Sequence, residues 1–448
     1  MNFARDVLAT QPPERLALVE LGRDGSRREW TFAEIDRLID AGAALLLRHG
    51  VGRGDVVMTL IGNRVEWVAT LMGCFRIGAV ALPCTEQLRA KDLRLRLAVT
   101  RPSLILADKR NRSELDTAKP ECPVVWIPDE ELFRGETHER PADLSDGDPA
   151  LITFTSGTAG EPKAVVHGQR YLYGQCAQAQ TWLGAQPGDV VWCTAASGWS
   201  KSARNVFIAP WLMGATALLH DARFDPHERL DLIERERVSV LCMAPTEYRV
   251  IAKRATLRAL PSLKGMVAAG EALNPEVLHV WREATGRDVR DGYGQTETGQ
   301  MTAMPIGLPA RPGSMGKALE GVSLTVRDGE LVADPRTVPT FFLGYLGEGV
   351  RRCGDGEAEA ESAAGGWRIE DRREGGPWHT GDRVSEDAEG YLHFEGRADD
   401  VIVSAGYRIG PFEVESALVA HPAVAEAAAV AAPDEERGAV VRAVVVLR

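Results

Sequence analysis

Apolar positions along this chain follow two rhythms in alternation. At Thr31-Phe32-Ala33-Glu34 a hydroxyl residue precedes a glutamate by three positions, the arrangement of a capping box. Ile35, Leu38, Ile39 and Leu46 then recur at helical spacing. Residues 55–61 are almost uninterruptedly apolar, as expected of a strand buried on both faces. Residues 65–77 predict a helix, and residues 80–83 and 103–107 two more strands. After residue 166 the alternation resumes. Strands are expected at 190–194, 216–219, 238–243 and 265–269, and a helix at 226–235. Asn274-Pro275 opens a further helix to about residue 285, with Asn274 as N-cap and Pro275 in the first turn. Strand and helix in turn imply parallel sheets covered on both faces.

The pattern changes at 347–376, a stretch rich in Gly, Glu and Ala and poor in large apolar residues. It reads as a long, mobile surface insertion. Residues 391–395 form a strand. Gly396-Arg397-Ala398-Asp399-Asp400 is short and polar and marks a domain boundary. Beyond it come a strand at 401–403, a helix opening at Pro411 with Glu413 and Glu415 in its first turn, and strands at 424–430 and 440–447. The expected organisation is an α/β protein. A large multi-subdomain N-terminal domain spans 1–396, a hinge spans 397–400, and a small, incomplete α+β lid spans 401–448. The last strand is apolar and lacks a covering element, so the lid reads as unfinished.

Composition narrows the function classes. A chain of 448 residues exceeds one ordinary core. With 52 basic and 64 acidic residues the net charge is −12, which argues against nucleic acid or an anionic membrane as partner. The 7 cysteines include no C-x-x-C pair, so neither a disulfide framework nor a zinc site is indicated. The N-terminus lacks a signal peptide's apolar core and no run is long enough to span a membrane. A cytoplasmic location follows as the expectation.

The stretch with most chemistry is Thr155-Ser156-Gly157-Thr158-Ala159-Gly160-Glu161-Pro162-Lys163, which follows an apolar run. Glycines let backbone approach an anion. Successive N–H groups and hydroxyls form a phosphate nest, and Lys163 adds a cation. By composition alone it is also an ordinary Gly/Ser turn. It fits neither a Walker A loop nor a nucleophile elbow.

Taken with DGYGQTETG (291–299), WHTGD (378–382) and GRADDVIVSAGYRIGPFEVE (396–415), in that order, TSGTAGEPK resembles the adenylate-forming superfamily, and within it the medium-chain acyl-CoA synthetases. The resemblance covers nearly the whole chain. It implies ATP-dependent, AMP-forming activation of a medium-chain or aryl carboxylic acid, with ATP, Mg²⁺ and coenzyme A. It implies that Thr155 to Lys163 wrap the ATP phosphates and that Gly270, Glu271 and Ala272 lie along the adenine. Tyr293 would stack on the adenine within Asp291, Gly292, Gly294, Gln295 and Thr296. Thr296 would sit beside the reacting carboxylate, and Thr158 and Glu297 would hold Mg²⁺. Asp382 would accept from the ribose hydroxyls, Arg397 would reach the nucleotide and Arg408 the phosphate or acyl region. Asp399 is the implied hinge residue. Gln87, Ala405, Gly406, Tyr407 and Arg437 match the coenzyme A path. Lys163, Thr296, Glu297 and Arg408 carry the implied catalysis. Gly294 replaces a pocket-closing tryptophan of acetate-using relatives, and Trp199 becomes a wall of the acyl pocket. Singly, Tyr293 reads as core, Glu297 as a helix cap, Asp382 as a turn residue, and Arg397 and Arg408 as surface ion pairs.

Ala159 and Ala405 depart from the hydroxyl residues common at those positions, and 347–376 has no familiar counterpart. The family's lysine-bearing C-terminal segment is not reached, and no lysine follows Lys317. Impaired adenylation is therefore the expectation. An adenylate-binding protein without turnover, a fragment, and an enzyme loading a carrier protein stay open.

Overall fold

The computed structural model describes residues 1–128, 135, 140–155, 161–271, 275–352, 366–398, 402–404, 407–419, 421, 423–434 and 437–447. The predicted capping box forms. The Thr31 hydroxyl accepts from Glu34 N–H, the Glu34 carboxylate accepts from Thr31 N–H, and helix Phe32–Arg48 follows. Helices Val65–Ile77 and Pro226–Arg235 have the expected bounds.

Two large sheets carry the fold. The nine-stranded sheet has the parallel strands Val80–Cys84, Val56–Leu60, Leu104–Asp108 and Val124–Ile127 on one side. Pro149–Phe154 joins them in parallel and then pairs antiparallel with Ala164–Gly168. The strands on either side of the candidate phosphate loop thus pair with each other. The seven-stranded sheet runs Val289–Gly292, Gly265–Ala269, Val240–Met243, Val190–Cys193, Thr216–His220 and Leu16–Leu21, all parallel, with Arg27–Thr31 antiparallel at its edge. The inner strands are buried on both faces, which explains their continuous apolar runs.

A four-stranded antiparallel sheet, Leu324–Arg327, Glu330–Ala333, Trp378–Glu386 and Leu392–Arg397, carries the HTGD segment. Strand Leu392–Arg397 extends one residue into the expected hinge and places Arg397 opposite Asp382. Asp399 lies outside the described residues, as does Asn274.

The edges of 347–376 correct the expectation of a loose insertion. Strands Gly349–Arg352 and Trp367–Ile369 pair antiparallel and extend the nine-stranded sheet. Trp367 is fully buried, with its indole N–H donating to the Gly54 carbonyl at 2.8 Å. One large aromatic anchors a stretch whose composition otherwise reads as surface. Residues 353–365 lie outside the described residues. In the C-terminal part, helix Pro411–Val419 is followed by the antiparallel strands Val424–Asp434 and Gly438–Leu447, longer than expected.

Candidate active site

A cleft of about 820 Å³ opens where strands of both large sheets end. Asn63 follows Val56–Leu60, Gln87 follows Val80–Cys84, and Asn111 follows Leu104–Asp108. From the other sheet, Thr194 follows Val190–Cys193, Asp221 follows Thr216–His220, and Glu271 follows Gly265–Ala269. Ligands in open α/β folds gather at the carboxyl ends of strands, where loops meet without disturbing the sheet.

Two clusters outside the cleft lining join predicted residues that are far apart in sequence. The first surrounds Asp382. The Tyr293 hydroxyl donates to its Oδ2, Gln295 Nε2 donates to the same oxygen at 2.8 Å, and Arg397 donates to Oδ1 at 3.1 Å. Trp378 Nε1 donates to Gln295 Oε1 at 3.0 Å, which fixes the amide so that its NH₂ faces Asp382. Burial moves the Asp382 carboxyl above the usual range despite those donors, and lifts Tyr293 well above its own, so the phenol keeps the proton it donates. A carboxylate has about four acceptor positions, so Oδ1 keeps capacity for a further donor.

The second cluster centres on Tyr345, which sequence reasoning missed. Its hydroxyl donates to Glu297 Oε1 at 2.8 Å, and Lys163 Nζ lies 4.7 Å from its ring centroid. Lys163 also pairs with Glu348 at 3.2 Å, with both side chains more than half exposed, so the pair is weak. The only signal for Tyr345 was an aromatic in Leu343-Gly344-Tyr345 beside the acidic stretch. At the hairpin base, Thr155 N–H donates to the Lys163 carbonyl at 3.0 Å, and the Thr155 hydroxyl accepts from Lys163 N–H at 3.1 Å. Glu161 is exposed and Pro162 half-buried.

Asp291 is the next-to-last residue of strand Val289–Gly292 and accepts from Gly292 N–H at 2.8 Å. Burial pushes its carboxyl up to about 8. Thr296 and Glu297 sit in the turn between Gly294–Gln295 and Gly299–Gln300. Glu271, next to Gly270, lines the cleft and accepts from the Thr246 hydroxyl at 2.6 Å. Trp199 is 52% exposed and lines the cleft, as does Gln87.

At Gly294 a Cβ would lie 1.8 Å from the Gly299 carbonyl oxygen, and Gly294 is not among the cleft's lining residues. Its hairpin needs a glycine for close backbone approach. Arg437 is exposed, and its N–H donates to Asp434 at 2.8 Å. Tyr407 and Arg408 lie on strand Tyr407–Ile409. Ser156, Gly157, Thr158, Ala159, Gly160, Ala272, Ala405 and Gly406 lie outside the described residues.

Mg²⁺ takes oxygen ligands and is commonly held by one or two carboxylates plus substrate phosphates. Glu297, oriented by Tyr345 beside Lys163, fits that mode. Among the described residues no group of three or more His, Cys, Asp or Glu could hold a metal on its own.

Residues 5–344 match the AMP-binding enzyme family, and residues 413–448 match the AMP-binding enzyme C-terminal domain. The human mitochondrial acyl-coenzyme A synthetase ACSM4 is 34% identical over 100% of this chain and 81% of its own length. An uncharacterized acyl–CoA ligase of Bacillus subtilis, YtcI, is 35% identical over 97% of this chain and 83% of its own. The crystal structure of a Brucella canis acyl-CoA synthetase is 31% identical, with a TM-score of 0.77 over 100% of this chain and 84% of that one. An anthranilate CoA ligase in complex with anthranoyl-AMP is 26% identical, with a TM-score of 0.83 over 100% and 87%. The chain belongs to the AMP-binding enzyme family. Its reaction class is that of the acyl-CoA synthetases it matches along its length, the AMP-forming ligation of a carboxylic acid to a thiol.

Proposed function

We propose that this chain activates a medium-chain or aryl carboxylic acid with ATP and Mg²⁺ and transfers the acyl group to coenzyme A. The observation that carries the nucleotide assignment is the Asp382 cluster, a buried carboxylate held by Arg397, Tyr293 and Gln295. Such an acceptor suits the paired hydroxyls of a ribose. In-line transfer at the α-phosphate needs positioning and charge neutralisation more than covalent catalysis. Lys163 supplies a cation for the departing phosphates, and Glu297 would hold the metal. Bound Mg²⁺ would neutralise phosphate oxygens.

The cleft supports the acyl assignment. Its volume of about 820 Å³ lies in the range of small-molecule sites. Trp199 and Met243 line it, and a tryptophan face suits an aryl or alkyl tail. Similarity to an anthranilate CoA ligase favours an aryl acid as one substrate type. Residues 1–396, 397–400 and 401–448 are assigned as large domain, hinge and lid, supported by the separate match of 413–448. We place the protein in a reducing compartment, because Cys74, Cys84, Cys122, Cys176, Cys193 and Cys242 are all free thiols.

Calorimetry with AMP tests the nucleotide site. Binding is expected for the native chain, and Asp382→Ala should weaken it by about 1.5–3 kcal/mol. Equal affinity in both proteins, or no heat in either, would remove the assignment.

A further inference from the structure

We propose that Lys201 binds the reacting carboxylate of the acid, as a second catalytic cation beside Lys163. This rests on the acyl-CoA synthetase reading.

The carboxylates that line the cleft have partners. Asp221 and Glu86 pair with Arg110, Glu114 with Arg89, and Glu247 with Arg229. Glu271 accepts from the Thr246 hydroxyl at 2.6 Å and forms no ion pair among the described residues. Lys201 lines the same cleft, is half-buried, and makes no ion pair among the described residues. An ammonium group has three donors. One goes to the Ala269 carbonyl at 3.0 Å, and two are left for a ligand. A partly desolvated cation facing a cleft without its own counter-ion is a site for an anion.

Its place selects which anion. A Cβ at Gly270 would lie 2.8 Å from Lys201 Nζ, so the ammonium rests on the Gly270-Glu271 segment that is assigned to the adenine side. On its other side lies the cleft with Trp199, assigned to the acyl group. Lys201 therefore stands at the seam between nucleotide and acid, where carboxylate and α-phosphate meet. The loop that carries it is rigid. Gly198 has φ +91° and a Cβ there would sit 2.1 Å from Thr85 N, so the turn is pressed against the end of strand Val80–Cys84. Ser197 N–H donates to Asn63 Oδ1 at 2.9 Å, and the Ser202 hydroxyl donates to the Trp199 carbonyl at 2.7 Å.

In the step served, a carboxylate oxygen forms a bond to the α-phosphorus. The bond from that phosphorus to the α,β-bridging oxygen breaks, and pyrophosphate leaves with the electron pair. No proton moves. Two anions must approach in a dry cleft, and a fixed cation between them lowers that repulsion, an effect of roughly 10²–10³ in rate for a preorganised donor.

The test is acid-dependent ATP–pyrophosphate exchange by the full chain and its Lys201→Met and Lys201→Arg variants. Benzoate, octanoate and a dicarboxylic acid serve as probes, with AMP calorimetry on each protein. Lys201→Met should raise KM for every acid at least about tenfold and lower kcat, with KM for ATP within about twofold. Lys201→Arg should recover part of the loss. Retained AMP affinity in Lys201→Met shows that the fold and nucleotide site survive. Unchanged acid KM and exchange in Lys201→Met would overturn the proposal. A loss confined to the dicarboxylic acid would also overturn it, by placing Lys201 at the acyl tail. If the native chain exchanges pyrophosphate with none of these acids and binds no AMP, the reading beneath fails instead, and the Lys201 assignment falls with it.

Discussion

Tyr345 connects two charged groups with one side chain. Its hydroxyl orients Glu297, and its ring lies beneath the Lys163 ammonium. The two contacts separate by substitution. Tyr345→Phe removes only a hydrogen bond to a charged group, about 1.5–3 kcal/mol. Tyr345→Ala also removes the cation–π contact, about 0.5–1 kcal/mol more at an exposed site. Titration of exchange activity against Mg²⁺ should show a higher metal requirement in Tyr345→Phe, and a further fall in rate in Tyr345→Ala. Identical Mg²⁺ curves for Tyr345→Phe and the native chain would detach Tyr345 from the proposed metal role of Glu297.

Asp291 gives a pH signature. Its folded pKa of about 8 lies above the unfolded value of about 3.9. The native state thus holds the proton more tightly, and this group's stabilisation is full below about pH 4 and lost as pH rises toward 8. Asp291→Asn should remove that loss. Melting temperatures of the two proteins should diverge in favour of the variant between pH 5.5 and pH 8. A constant difference across that range would mean that Asp291 is ionised in the fold. Gly294 is a matter of sterics. Gly294→Ala should destabilise the chain by at least about 1–3 kcal/mol in urea unfolding, as overpacking does, because Gly299 backbone occupies the Cβ position. A neutral Gly294→Ala would show that the hairpin yields easily.

At the scale of elements, the hydrophobic rhythm was a good guide wherever burial alone decides structure. Continuous apolar runs became the doubly buried strands, and the Thr31–Glu34 box opened its helix. What the rhythm could not carry was pairing. Nothing local says that Thr155 and Lys163 close a hairpin, or that Arg397 comes to lie opposite Asp382, because both depend on partners distant along the chain or on register. The same reason hid Tyr345. The edges of 347–376 depart from the surface reading because average composition outweighed one tryptophan. Trp367 is fully buried beneath the edge of the nine-stranded sheet. Trp367→Ala should cost about 3–5 kcal/mol. The check is equilibrium unfolding in urea, and a cost under about 1 kcal/mol would show that this edge is dispensable.

For the whole molecule, two sheets with their strand ends facing one cleft bring residues from the first and middle thirds of the chain together. Net charge is −12, so every anionic ligand must be held by placed cations rather than by the overall field. Under the proposed assignments, Lys163, Lys201 and Arg397 would take separate parts of that task. The candidate residues were legible through their motifs, but their division into an Asp382 cluster, a Tyr345 cluster and a separate cleft needed the fold. The central claim is the AMP-forming joining of an acid to coenzyme A, and product analysis tests it most directly. The full chain is incubated with ATP, Mg²⁺, coenzyme A and benzoate or octanoate, and nucleotides and thioesters are quantified by mass spectrometry. AMP and acyl-CoA should appear in equal amounts, dependent on the acid, and fall together in Lys163→Ala and Asp382→Ala. Formation of ADP in place of AMP, or AMP without a thioester in the presence of coenzyme A, would contradict the account.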